Sequence, residues 1–279
     1  MAYAGYREHF IGGTLKERRA RKEEKFNTLL NFLVKETYAD TATLAELLGI
    51  SKQTTTAALK NLVDRGLVMG AIIPVGGTKY WGITRQGILL AGQIIHGVGE
   101  PADIKHFVPS MFSDATKRHR LAVQKAIIHK EAILKRFWKV DEGRFNFENP
   151  YQYLLHRGVK QPPNFSKLGG KEKTVFPDSI FTVASASGIL AVAVEVELSI
   201  KAKARYKAIF TGHWRNHRQG NLYNGVVYVF ETKKAAKSFR ENILNPLIER
   251  TLEGDKFVEF LQSRVRLTSF EALTASIGA

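Results

Sequence analysis

Asp178, Glu195 and Glu197 are the residues of this chain whose types and spacing point to chemistry. The run from Ile189 to Leu198 reads as a strand, and side chains of a strand alternate between its two faces. Val192, Val194, Val196 and Leu198 therefore share an apolar face, while Ala191, Ala193, Glu195 and Glu197 share the other. Two carboxylates placed this way lie roughly 6.5 Å apart at the backbone, twice the rise per residue, so their oxygens can converge on one cation. Pro177-Asp178 opens a shorter apolar strand, Ser179 to Ala184, and a Ser- and Gly-rich turn at 185–188 joins the two into a hairpin. That hairpin can set Asp178 beside the glutamates. Oxygen ligands of this kind suit Mg²⁺ or Mn²⁺, because hard cations prefer carboxylates and water. Without a cation or a basic partner, the three would repel one another and raise at least one pKa. The alternative is that the two glutamates form the solvated face of an edge strand.

Cations follow the carboxylates at once. No acidic residue separates Glu197 from Glu231, whereas Lys201, Lys203, Arg205, Lys207, Arg215 and Arg218 all fall between them, interleaved with His213, Trp214 and His217. Such a segment suits a phosphodiester drawn toward a metal. Lys203, near the start of a helix, can reach back to the carboxylates, and Lys201 is the second candidate; either can equally be a solvent-facing helix charge. Trp214 either stacks on an unpaired base or is buried.

The pattern of Pro177-Asp178, a hairpin-length gap, Glu195-x-Glu197 and then Lys203-x-x-Tyr206 resembles the PD-(D/E)XK nuclease superfamily. Within it, the chain is most similar to the MobC (MOB-C) class of relaxases of mobilizable plasmids, related to the replication-relaxation family. The resemblance implies a metal-dependent nickase that cuts one strand of double-stranded DNA at a plasmid transfer origin, working with a mobilization accessory protein and a coupling protein. It implies that Asp178, Glu195 and Glu197 hold Mg²⁺ or Mn²⁺, and that Lys203 stabilises charge on the phosphate. Tyr206 would orient Lys203 or a carboxylate; the rival role is a nucleophile that links covalently to DNA. One departure stands out: Glu197 occupies the position where the motif usually carries Lys. A DNA-binding regulator or replication initiator with a degenerate nuclease fold, and a hydrolytic restriction or junction-resolving endonuclease, are the competing readings.

The composition bounds these readings. The 279 residues suffice for two domains, and 44% hydrophobic with 24% charged residues is the balance of a folded chain. A net charge of +16 points to a polyanionic partner, of which nucleic acid is the commonest and an anionic membrane surface the competitor. No long apolar run or leader pattern is present, so membrane insertion and secretion are not expected. The absence of cysteine excludes disulfides and Cys-ligated zinc and fits the cytoplasm. A homodimer is compatible with all of this.

The expected fold is α/β (α+β): an N-terminal winged helix-turn-helix followed by a restriction-endonuclease-like mixed-sheet domain. Residues 1–25 form a basic arm, with Lys16, Arg18, Arg19, Arg21, Lys22 and Lys25 either solvated or tracking a phosphate backbone. Residues 26–96 carry the winged helix. Phe26, Leu29, Leu30 and Leu33 recur at helical spacing; Thr41 caps a short helix that Gly49 ends; Ser51 caps a third helix, with Ala58, Leu59, Leu62 and Val63 inward and Gly66 as its stop. Strand-like runs at 67–73 and 79–84 make the wing. The phrase LAELLGISKQTTTAALKNLVDRGLV resembles winged-helix domains of bacterial regulators and plasmid proteins. That geometry turns Lys52, Gln53, Thr54, Thr55, Thr56 and Lys60 toward the major groove, and Lys79 of the wing toward a phosphate; protein contact or dimerisation is the other use of such a domain.

Residues 97–113 read as a linker and 114–279 as the nuclease-like domain. A single helix is expected from Asp114 to about Trp138, with Arg118, His119 and Arg120 at its basic start facing substrate phosphates. The Gly- and Lys-rich stretch 167–173 reads as a loop able to wrap around DNA. Further on, Val226 to Phe230 reads as a buried strand, Lys233 to Leu252 as an amphipathic helix and Phe257 to Leu261 as the last strand.

Overall fold

The structure is a computed structural model that describes residues 14–72, 77–94, 106–109, 114–150, 153–154, 157, 175–185, 188–220, 222–250 and 254–275. Most of the basic arm, the tip of the wing, most of the 97–113 stretch and the 167–173 loop lie outside the described residues. The chain divides into two units, Met1–Ile128 and His129–Ala279.

In the first unit, α1 (Leu15–Glu36) starts at a capping box, in which the Thr14 hydroxyl accepts from Glu17 N and the Glu17 carboxylate accepts from Thr14 N at 2.8 Å. Its basic early turns are mostly exposed, and its apolar face enters the core only from Phe26 onward. A short strand, β1 (Tyr38–Asp40), leads into α2 (Thr41–Leu48). The cap of α2 is Asp40, not Thr41: its carboxylate accepts from Thr43 N at 2.7 Å. Gly49, at φ 64°, ends that helix in the left-handed region where a side chain would be strained. Ser51 caps α3 (Lys52–Asp64) as its sequence indicates. Leu59 and Leu62 face inward, but Val63 is exposed.

β2 (Val68–Ile72) and β3 (Lys79–Ile83) form the wing, and β1 adds to β3 to complete a three-stranded sheet in the order β1-β3-β2. α4 (Arg85–Ile94) packs on α1. The unit does not end at residue 96. Phe107, inside the expected linker, is buried with Tyr38 and Tyr80, and its N–H donates to Ile83 O at 3.0 Å. α5 (Asp114–Ile128) also belongs here, because Gln124 donates to Tyr38 O at 2.5 Å and Arg120 Nε lies 2.9 Å from the buried Glu36 carboxylate. The expected helix over 114–138 is therefore two helices that meet at His129, and the boundary between the units falls at that junction.

The second unit begins with α6 (Lys130–Trp138). Three antiparallel strands follow: β4 (Arg144–Glu148), β5 (Ser179–Ser185) and β6 (Gly188–Glu197). α7 (Lys203–Gly220) then crosses to β7 (Gly225–Phe230), which pairs parallel to β6. α8 (Lys233–Phe239) passes through one π-turn, Arg240–Leu244, into α9 (Asn245–Arg250). α10 (Asp255–Arg264), β8 (Val265–Ser269) parallel to β7, and α11 (Phe270–Ala275) complete the unit. The sheet order is β4-β5-β6-β7-β8, mixed as expected, with β6 in the middle.

Every residue of β7 is buried, as befits a central parallel strand covered on both faces. Tyr206, Phe210, Tyr228, Phe239, Phe257 and Phe260 build one aromatic core with the small Ala191 and Ala193 of β6. Small residues on β6 let α7 approach the sheet there. Phe257 to Leu261 is helical rather than the last strand: Phe257, Phe260 and Leu261 recur at helical spacing and bury one face of α10.

Candidate functional site

The carboxylates come together at one end of the β5–β6 hairpin. One step beyond the Ser179–Val194 pair, Asp178 N–H donates to Val194 O at 2.9 Å and the Asp178 carboxylate accepts from Val196 N at 2.7 Å. Asp178 thus caps the ladder with its own side chain, which ties it to the strand that carries the glutamates. Glu195 and Glu197 share the β6 face that packs under α7, next to Tyr228 and Phe230 of β7. They are not the solvated face of an edge strand. Glu195 has a side-chain exposure of 12% and Glu197 only 2%.

Each glutamate has a basic partner. Glu197 Oε1 accepts from Lys201 Nζ at 2.6 Å, and Glu195 Oε1 lies 2.9 Å from His213 Nε2. Burial pushes the Glu195 carboxyl up to about 8, aided by the Glu197 charge and opposed by Lys201. Burial pulls the His213 imidazole down to about 3, against the attraction of Asp178. Among the described residues no three His, Asp or Glu side chains are gathered as a metal cluster. The expected three-carboxylate set is therefore not assembled, because Glu197 is turned onto Lys201. Asp178 and Glu195 remain a pair that suits Mg²⁺ or Mn²⁺, ions commonly held by one or two carboxylates, waters and substrate phosphates. Glu195 Oε2 accepts no hydrogen bond among the described residues, and burial keeps the carboxyl protonated up to about 8. A cation there would take the place of that proton.

The other expected site residues divide. Lys203, the first residue of α7, is exposed, and the ammonium at the carboxylates is that of Lys201. Tyr206 is fully buried; its hydroxyl accepts from Lys201 N at 3.1 Å, its ring packs edge-on against Phe239, and burial holds its pKa far above the ordinary range. That is a scaffold residue which fixes the turn carrying Lys201. Neither His213 nor His217 stands free among the arginines. His213 is buried against Tyr223 and Glu195, and His217 Nδ1 is 2.9 Å from Tyr223 O. Trp214 packs edge-on against Phe257. His213, Asn216 and His217 are one helical face, a spacing that could have marked them as inward.

In the first unit, Lys52, Gln53, Thr54 and Lys60 are exposed along α3, consistent with the expected outward face. Thr55 is not available to a groove: it is fully buried and its hydroxyl donates to Ser51 O at 3.0 Å. Thr56 is half-buried and donates to Lys52 O. Lys79 is exposed, with Nζ 4.2 Å above the Trp81 ring. Of the basic start of α5, Arg118 is exposed and His119 half-buried, but Arg120 is committed to Glu36 inside the unit. No helix among the described residues is long and apolar enough to cross a membrane.

Fold and site together define a class: a winged helix followed by an α/β unit whose mixed sheet carries two buried glutamates on one strand. Residues 28–69 match the MarR family, in agreement with the winged helix of the first unit. Among solved structures, an apo-form mutant of ZitR from Lactococcus lactis is 24% identical with a TM-score of 0.24, over 29% of this chain and 62% of that one. The restriction endonuclease FokI bound to DNA is 9% identical with a TM-score of 0.24, over 96% of this chain and 46% of that one. In both cases the chain spans less than two thirds of the other protein's length. No curated protein matches the chain.

Proposed function

We propose that this chain binds double-stranded DNA through its winged helix and cleaves a phosphodiester at the Asp178–Glu195 end of the second unit. The observation that carries the reading is the placement of Asp178, Glu195 and the Lys201 ammonium around the end of β6, on a helix, three-strand, helix, strand scaffold. In this reading Asp178 and Glu195 hold Mg²⁺ or Mn²⁺; such an ion polarises a phosphate and lowers the pKa of a bound water. Asp178 is held in place by the Val196 N–H and Glu195 by His213, so neither needs to reorganise as charge develops. Lys201 supplies the positive charge that a lysine at position 197 would otherwise bring. The finer reading is a MobC-type relaxase, a strand-specific nickase at a plasmid transfer origin. The buried Tyr206, bound by backbone, suits the scaffold role rather than a nucleophile.

A second reading has its own support. Because every carboxylate already has a protein partner, the second unit also suits a DNA-binding regulator or initiator whose nuclease-like fold no longer cleaves. Supercoiled plasmid with and without a transfer origin, incubated in Mg²⁺, Mn²⁺ or chelator beside Asp178→Asn and Glu195→Gln variants, separates the two. Open circles that need the metal and both acids support cleavage, and dependence on the origin supports the relaxase. Tight DNA binding with no conversion under any condition would leave the regulator.

A further inference from the structure

The His213 ring lies in a chain of hydrogen bonds whose direction can be deduced. Asn216 Nδ2 is 3.0 Å from Val175 O and 3.1 Å from the Tyr223 hydroxyl. A carbonyl can only accept, so the Asn216 nitrogen must face Val175, and the same amide then donates to Tyr223. The Tyr223 hydroxyl has one further partner among the described residues, His213 Nδ1 at 2.7 Å. Its single proton must go there, which makes Nδ1 an acceptor. A neutral imidazole with an accepting Nδ1 carries its proton on Nε2, and Nε2 is 2.9 Å from Glu195 Oε1. The opposite arrangement, with Glu195 donating to Nε2 and Nδ1–H donating to Tyr223, leaves the buried tyrosine proton without an acceptor among the described residues, a costly state at a site this buried.

We propose that Asn216, Tyr223 and His213 form a one-way relay that locks His213 as an Nε2–H donor, so that His213 is the positioning residue for Glu195. It anchors Oε1 and leaves Oε2 as the oxygen that meets a divalent cation. This rests on the metal-binding part of the proposed function, but the tautomer assignment stands by itself. The relay sits on α7 and the turn after it, whereas Glu195 sits on β6. The site thus depends on the crossover that joins two parallel strands. Partners behind a metal-binding carboxylate commonly contribute about 10- to 100-fold in metal affinity.

The test uses full-length ¹⁵N-labelled protein without metal. Ring-nitrogen correlation spectra should show His213 with a protonated Nε2 and a bare Nδ1, the signal being identified by its loss in His213→Gln. Tyr223→Phe keeps the ring and every contact to Glu195 yet removes the donor to Nδ1. It should admit the Nδ1–H tautomer and weaken Mn²⁺ binding on the order of 10-fold by calorimetry. His213→Gln offers an amide N–H near the place of Nε2 and should bind Mn²⁺ better than His213→Leu. A protonated Nδ1 in the unaltered protein, or unchanged Mn²⁺ affinity in both Tyr223→Phe and His213→Leu, would overturn the relay. The assigned tautomer together with no Mn²⁺ binding by the unaltered protein supports the relay and sinks the metal-binding reading instead.

Discussion

Glu195→Gln should make the second unit more resistant to alkaline pH, by an amount the structure sets. Above about pH 6.5, His213 is neutral in both folded and unfolded chains, since its folded pKa is lowered to about 3 from 6.5. Glu195 loses its proton near 4.5 when unfolded but keeps it to about 8 when folded. The folded state therefore holds one extra proton from about pH 6.5 to 8, and its stability falls as pH rises, at about 1.4 kcal/mol per unit. Over that window the loss is about 2 kcal/mol. Between about 4.5 and 6.5 the two shifts cancel, because the folded chain keeps the proton on Glu195 and the unfolded chain keeps one on His213. Below about 4.5 the lowered His213 takes over and stability falls with acid. Glutamine preserves the acceptor for His213 and removes the ionisable carboxyl, so the alkaline arm should vanish, while the acid loss due to His213, no longer offset, should begin near pH 6.5 instead of 4.5. Urea unfolding in chelator at pH 6.5 and 8, followed by fluorescence with Trp214 as a reporter of the second unit, compares the two proteins. Parallel losses in both, or a native stability that rises with pH, would refute the burial argument.

Two further outcomes follow from the first unit. Arg120→Ala should destabilise it by about 3 kcal/mol in thermal or urea unfolding, because it strands the buried Glu36 carboxylate, while DNA affinity per folded molecule stays near that of the unaltered protein. Lys52→Ala with Lys60→Ala should instead leave stability unchanged and weaken DNA binding, with a log–log salt slope shallower by roughly 1.8 if both meet phosphates; an unchanged slope would move the DNA contact elsewhere.

Local signals were legible in the sequence where they are short-range. The Ser51 cap, the left-handed Gly49 and the apolar spacing of α1 and α3 mark three helices by themselves. The alternation around Glu195 placed both glutamates on one face, and the hairpin brought Asp178 to them. Pairings between distant segments were not legible. β1 exists because Tyr38–Asp40 pairs with β3, and three residues carry no period. The basic start of α5 reads as a surface, whereas Glu36 and Tyr38 make the helix an interior partner of the first unit. The short apolar run of α10 is dense enough to suggest a strand, but its buried residues are spaced for a helix. At the site, Lys201 replaced Lys203 because the turn pinned by Tyr206 delivers the earlier lysine. The His213 relay was hidden inside what looked like a basic, solvent-facing segment.

The position of β6 also determines what can move. It is held by an antiparallel ladder on one side and a parallel ladder on the other, so a slip of one residue would break two kinds of pairing at once. The same slip would exchange the glutamates for the valines of the opposite face. The carboxylate end therefore cannot adjust to a visitor by sliding its strand. Accommodation is left to side-chain rotation and to the short turn that carries Lys201. The unit behaves as a fixed anvil with one adjustable edge, and differences in what it accepts must arise from that edge.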